Sequence, residues 1–347
     1  MKKLLLIMLA ALAVSCIDKP EGESPEQPPI DVDLGHFQTA EAFEVPVKAG
    51  NITLVKADGV TLAEADSPMT IWVPRMGKTR AAEEGLTVEF VPSDEYPSFE
   101  GNKAQMFQVI CFEDSYKGDY DYNDLVIHVM YLQKNNIFGF AVQPIALGSS
   151  KPIKLGCVVY KGDKQVYKEL ITPEGVDCRT QYFKSIEGFI NVNNRDEVDF
   201  EEHQYLGSTI RNWDVSKIAG DGMMRVEWYI EVGGEEIYAL STAYLNKSFD
   251  KTGLPLGLVI TTTGTVFVDK DGGYECGFDW FNYPHESVHI ERVYPELWSW
   301  LTTDSTYTFS EFYDGFEAPK NAYTACFNGL YKATTLGSVT DAKYRQN

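Results

Sequence analysis

From residue 43 onward the chain is cut into short stretches. In them apolar residues alternate with polar ones, or gather as β-branched and aromatic runs. A period of two turns one side of an extended segment toward a core and the other toward water. The pattern predicts strands at 43–47, 52–56, 69–73, 106–111, 125–132, 138–147, 155–160, 165–170, 225–232, 236–240, 256–261 and 287–293. Turn residues separate them. Lys161-Gly162-Asp163-Lys164 joins two of these runs, and Gly233-Gly234 stands between Val232 and the run containing Ile237, a hairpin signal. Only 78–84 and 295–301 read as helices, each of about two turns. Many short strands broken by Gly, Pro and Asp predict an all-β fold, an antiparallel β-sandwich or jelly-roll-like domain with few short helices. No internal repeat is visible.

One apolar run is longer, and it sits at the N-terminus. Lys2 and Lys3 precede an apolar stretch over 4–14, too short to span a bilayer comfortably. Ala13-Val14-Ser15-Cys16 follows, the layout of a signal peptide. The cysteine resembles that of a bacterial lipobox, although Ala13 stands where leucine is commoner. The resemblance implies cleavage before Cys16 and acylation of its thiol and new amine, an anchor that needs no spanning helix. The plain alternative is an ordinary secretory signal cut nearby. Residues 17–33 mix Pro20, Pro25, Pro28 and Pro29 with Asp18, Glu21, Glu23, Glu26 and Asp31, which favours an extended, solvated tether. The expected organisation is a signal peptide over 1–15, a lipidated cysteine and tether over 16–32, an N-terminal β region over 33–104, a main β-sandwich domain over 105–315 and a C-terminal segment over 316–347. The expected location is the outer membrane, facing the cell surface, with a periplasm-facing protein as the alternative.

Composition narrows the class. Hydrophobic residues make up 44% and aromatics 13%, enough for a sizeable core. Fifty-one acidic residues against 30 basic ones give a net charge of −21, so the basic footprint of a nucleic-acid binder is missing. The acidity suits an exported protein or one that coordinates hard cations. Beyond Cys16 the cysteines are Cys111, Cys157, Cys178, Cys276 and Cys326, an odd number with no CxxC spacing. Structural zinc is disfavoured. One bridge, Cys157–Cys178, is expected, and the others are read as buried apolar residues.

The informative stretch runs from Phe112 to Val129. Glu113, Asp114, Asp119, Asp121, Asn123 and Asp124 crowd into a segment between two apolar runs. Like charges repel, and more strongly as they are buried. A divalent cation relieves that repulsion. The Asp-x-Asp-x-Asn spacing of Asp119, Asp121 and Asn123 sets alternate oxygens on one side of a turning loop, and Ca²⁺ takes six to eight such oxygens. An EF-hand is excluded: Asp124 replaces its turn glycine, Met130 stands where its bidentate glutamate belongs, and no helices flank the loop. Asp114, Asp119, Asp121, Asn123 and Asp124 are the candidate ligands for calcium. Glu113 is weaker, because alternation after an inward Phe112 sends it outward. The alternative is a solvated acidic turn in which Asp and Asn cap backbone amides. Tyr116, Tyr120 and Tyr122 favour the cation, since packing them holds the acidic groups near the protein.

Phe112-Glu113-Asp114 followed by Gly118-Asp119-Tyr120-Asp121-Tyr122-Asn123-Asp124-Leu125-Val126 resembles the signature of LruC-domain proteins. A second block supports the likeness: Leu254-Pro255-Leu256-Gly257-Leu258-Val259-Ile260, then Phe278-Asp279-Trp280-Phe281-Asn282-Tyr283-Pro284-His285-Glu286 with Tyr294, Pro295, Trp298 and Trp300. The resemblance covers about 105–315. It implies an exported bacterial lipoprotein, of a kind frequent in Bacteroides-like organisms, with a cation-dependent acidic loop on a β-sandwich, and it does not imply a catalytic activity.

Other constellations are less telling. Trp280, Tyr283, Trp298 and Trp300, with Phe281 and Tyr294, are candidates for a sugar-stacking platform, against ordinary core packing. Asp269-Lys270-Asp271-Gly272-Gly273 reads as a hairpin turn before a second cation site. The histidines His36, His128, His203, His285 and His289 make no HExxH, and there is no G-x-S-x-G, P-loop or dinucleotide fingerprint. Carboxylates crowded on one loop suit a cation better than a glycosidase pair facing across a sugar. The expected partners are a membrane through the lipid anchor and a glycan or surface protein. The expected function is therefore a non-enzymatic, calcium-stabilised surface lipoprotein with an adhesive or structural role, with a carbohydrate-binding lipoprotein next and a glycan hydrolase last.

Overall fold

The computed structural model describes residues 39–57, 60–74, 86–183, 185, 187–191, 209–239, 255–262, 266–268, 274–276, 281, 283–284 and 286–295. Its strands are β1 (Ala40–Val45), β2 (Asn51–Ala57), β3 (Val60–Ala65), β4 (Met69–Pro74), β5 (Leu86–Pro92), β6 (Lys103–Phe112), β7 (Leu125–Lys134), β8 (Ile137–Leu147), β9 (Ile153–Lys161) and β10 (Lys164–Leu170), then β11 (Ile190–Asn191), β12 (Thr209–Asp214), β13 (Met224–Val232), β14 (Glu235–Tyr238), β15 (Gly257–Thr262), β16 (Val266–Val268) and β17 (Tyr274–Cys276). The described α-helices are short, at Cys178–Tyr182 and Ile290–Val293.

The largest sheet runs β11-β8-β7-β6-β3-β2-β5, with β12 also beside β8 and β15 also beside β6. A second sheet runs β10-β9-β13-β14. The pairings are antiparallel, as alternating sequences joined by tight turns require. β6 shares one edge between two partners. Its start pairs with β3 at Ala104–Ala63, and its remainder pairs with β15 from Phe107 to Phe112. The N-terminal strands β2, β3 and β5 thus extend the same sheet that carries β6, β7 and β8.

Register decides which faces meet. Met106, Gln108 and Ile110 on β6 lie opposite Tyr131, Val129 and Ile127 on β7. On the second sheet Trp228 and Ile230 of β13 lie opposite Cys157 and Leu155 of β9. These faces close on one another as a sandwich. The Trp228 indole N–H donates to the Tyr131 hydroxyl at 2.7 Å, and its ring meets Phe140 edge-on at 5.0 Å. Arg211 of β12 reaches across to Glu169 of β10 at 2.7 Å, with side chains only 9% and 12% exposed. A smaller core gathers Val45, Val55, Leu62, Ile71 and Val73 under the β1–β4 pair.

The all-β architecture and most of the expected strands stand. β3, β5, β11, β12, β16 and β17 were not expected. β12 carries Arg211 and Asn212, polar residues that are nonetheless buried, so its sequence gives no apolar alternation. Two expectations fail. The segment 287–293 is not a strand: Ser287 takes a left-handed φ of 62°, and Ile290–Val293 forms a helical turn whose start is capped by His289 accepting from the Glu291 amide. Buried Ile290 and Tyr294 are four residues apart, a helical spacing. Cys157 and Cys178 are both free and buried. Cys157 faces the sandwich interior on β9, whereas Cys178 opens the short helix behind Asp177. The helix expected at 78–84 lies outside the described residues, as does most of that expected at 295–301.

Candidate metal centre

Phe112 on β6 pairs with Leu125 on β7, so the acidic segment 113–124 leaves one strand and enters its neighbour. Its backbone is bent in a way that ordinary side chains resist. Tyr120 and Tyr122 both have left-handed φ, 54° and 55°. Such positions cost about 1–3 kcal/mol each unless the surroundings hold them. Here they are held. The Tyr122 ring is fully buried and its hydroxyl donates to the Pro255 carbonyl at 2.6 Å. The Ile290 amide donates to the Tyr120 carbonyl at 2.8 Å, and the Tyr120 ring lies 5.8 Å from His289. The Gly148 and Ser149 amides donate to the carbonyls of Asn123 and Asp124. The loop is fastened to the residues just after β8 and to two segments distant in sequence, and its Glu113 and Asp121 carboxylates are held out of water.

Glu113, Asp119 and Asp121 each bring an oxygen within 4.8 Å of the other two. Glu113 corrects the expectation that it faces outward: it is fully buried. Strand alternation ends at Phe112, and although the Glu113 amide still donates to the Leu256 carbonyl, its side chain folds into the loop. The Tyr122 amide donates to Glu113 Oε1 at 2.7 Å. The other oxygen, Oε2, has no hydrogen-bond partner. It rests against Gly118, where a Cβ would overlap it. A buried carboxylate oxygen without a donor is costly, and it is also what a cation needs.

Asp121 is 1% exposed. Its Oδ2 accepts from the Ser287 amide at 2.6 Å, and its Oδ1 accepts from the Asn123 amide. Asn123 is equally buried, and its side-chain Nδ2 donates to the Pro284 carbonyl at 3.5 Å. Asp124 borders the cluster and uses Oδ2 to accept from the Asp114 amide at 2.8 Å. Asp114 itself is turned elsewhere. Its carboxylate meets the Lys151 ammonium at 2.6 Å and accepts from the Ser149 hydroxyl, so its charge is already balanced.

The electrostatics agree with the geometry. Burial, then the charges of Asp124 and Asp121, push the Glu113 carboxyl well above its usual range. Burial, then Asp119 and Glu286, push Asp121 up to about 7. Asp124 also rises to about 7, through burial and then the charge of Asp114. Glu286 rises to about 7 through burial and then Asp119 and Asp124. Burial and mutual repulsion both favour the protonated forms of these groups. Glu286 is the residue that sequence reasoning missed. It lies in the second motif block, far in sequence from the acidic run, and no local spacing marks it as a ligand.

The other sequence candidates separate. Cys16, Trp280, Trp298 and Trp300 lie outside the described residues, as do Asp269–Gly273. Tyr283 is 1% exposed and belongs to the main core with Phe281 and Tyr294, whose rings lie 5.0 Å apart. It is a packing residue, not part of an open sugar platform.

No family model matches the chain, and no curated protein matches it. The LruC family suggested by the motifs is therefore without a match to support it. Among solved structures, a "Putative lipoprotein from Bacteroides ovatus" is similar over 83% of this chain and 94% of that one, at 12% identity and a TM-score of 0.35. A likeness that slight assigns this chain neither a family nor a role.

Proposed function

We propose that this chain is an exported, lipid-anchored, non-enzymatic β-sandwich protein whose β6–β7 loop binds calcium, with a surface-binding or structural role. The observation that carries the calcium reading is the buried Glu113 carboxylate, with Oε2 unpartnered, beside Asp119 and Asp121. Glu113, Asp119 and Asp121 would supply the anionic oxygens, with Asp124 and Asn123 bordering them. The ion would neutralise charges that the fold otherwise confines together. An all-oxygen donor set at a loop favours calcium over softer metals, and an irregular arrangement suits it better than magnesium, which demands near-octahedral geometry. The anchor rests on Lys2, Lys3, the apolar run 4–14 and Cys16. The same segment and tether are what support the proposed outer-membrane, surface-facing location.

Isothermal titration of chelator-treated protein with CaCl₂ tests the metal. Binding is expected with a dissociation constant on the order of 10⁻⁴–10⁻³ M, as in extracellular calcium modules, and Asp119→Asn/Asp121→Asn should abolish it. No binding by the wild-type chain in that range refutes the proposal. Labelling with a fatty-acid analogue in a bacterial host, expected for the wild type and lost in Cys16→Ala, tests the anchor.

A further inference from the structure

We propose that the cation at this loop is a staple between two distant parts of the chain, with Glu286 completing the site and occupancy fixing the segment 286–295 onto the β6–β7 loop. This deepens the calcium reading and rests on it. Four contacts tie that segment and the adjoining Pro284 to the loop. The Ser287 amide donates to Asp121 Oδ2 at 2.6 Å, and the Ile290 amide donates to the Tyr120 carbonyl at 2.8 Å. The Asn123 side chain reaches the Pro284 carbonyl, and the His289 ring lies against Tyr120. The first of these contacts uses a carboxylate of the cluster itself. Anything that fixes Asp121 therefore fixes the acceptor for Ser287.

Glu286 approaches the cluster from the same segment. Its Oε2 and Asn123 Oδ1 both lie over Gly148, where a Cβ would overlap Asn123 Oδ1 and stand 3.2 Å from Glu286 Oε2. The absence of a side chain at Gly148 leaves room for both oxygens. Ser287, next to Glu286, adopts its left-handed φ of 62° while its amide points at Asp121. With Glu113 Oε2 buried and unpartnered at the inner end, the acidic groups run from the base of the loop to a residue more than 160 positions away in sequence. Without a counter-charge Glu286 is repelled by Asp119 and Asp124. With one it is attracted, and the four contacts are held together.

Hydrogen exchange of the full-length chain, followed by mass spectrometry with calcium or with chelator, tests this. Calcium is expected to slow exchange in peptides carrying the Ser287 and Ile290 amides as well as in those covering 113–124. Glu286→Gln should remove the protection of 286–295 and weaken calcium binding by about 10–100-fold, the effect of losing a supporting carboxylate at a metal site. If calcium binds and protects 113–124 while 286–295 exchanges unchanged, or if Glu286→Gln binds calcium as tightly as the wild type, the staple is overturned and the loop site stands. If the wild type binds no calcium, the loop site itself is overturned and the staple falls with it.

Discussion

Replacing Glu113 with glutamine separates a ligand from a merely buried acid. The substitution keeps the shape and the acceptor for the Tyr122 amide, and it exchanges the unpartnered Oε2 for an N–H₂ donor facing Asp119 and Asp121. In calcium-free buffer the variant should match or exceed the wild type, because a hydrogen bond to a carboxylate contributes about 1.5–3 kcal/mol where an orphan oxygen previously cost energy. With calcium the order should reverse. At 5 mM Ca²⁺ and a dissociation constant of 10⁻⁴–10⁻³ M, binding stabilises the wild type by about 1–2 kcal/mol. An unfolding entropy near 2.1 cal/mol/K per residue over the roughly 200 described residues makes that a rise of about 2–5 °C in Tm. Losing one anionic ligand weakens binding at least about tenfold and should at least halve the rise. Differential scanning calorimetry of both proteins, with calcium and with chelator, reads all four values. A Glu113→Gln protein destabilised in chelator yet showing the full calcium-dependent rise would refute the assignment and make Glu113 a structural acid.

Gly118→Ala places a methyl against Glu113 Oε2. It should lower calcium affinity measured by titration while leaving the far-ultraviolet circular dichroism β-like, and unchanged affinity would contradict the cradle. Asp121, Asp124 and Glu286 titrate near 7 in the folded protein and near 4 when unfolded. The folded state therefore binds more protons between those values, so calcium-free stability contributed by these groups is present below about pH 4 and lost as pH rises toward 7. Calcium competes with those protons, so its Tm effect should grow from pH 5 to pH 8, and a constant effect would count against the site. Arg211→Met leaves Glu169 buried without its partner between the sheets, which should cost about 3 kcal/mol in urea denaturation. A loss under about 0.5 kcal/mol would show that the pair behaves as a surface bridge.

The strands were legible where polar and apolar residues alternate, as on β13, or where a continuous apolar run is buried on both faces, as on β7. They were hidden where tertiary partners satisfy polar groups. Glu64 on β3 is buried because Lys103 meets it at 2.7 Å, and Arg211 on β12 because Glu169 does. No local pattern announces such pairs. The acidic loop was visible as crowded carboxylates, but the roles within it were not. Asp114 stood equal to its neighbours in sequence, yet Lys151 claims it. Glu113 lay in the wrong phase for a core residue, and the left-handed turns at Tyr120 and Tyr122 bring the loop back over it.

What the residues settled by themselves is local: alternation with frequent turns commits the chain to antiparallel strands, and anionic oxygens two apart commit one bend to charge crowding. Which oxygens converge, and which find a cation of the protein's own, was decided only by folding. The hairpin register sets the two ends of the loop side by side, and a segment more than 160 residues downstream brings Ser287 and Glu286 to it. Coulomb repulsion and desolvation depend on distance and burial, and neither is written in sequence separation.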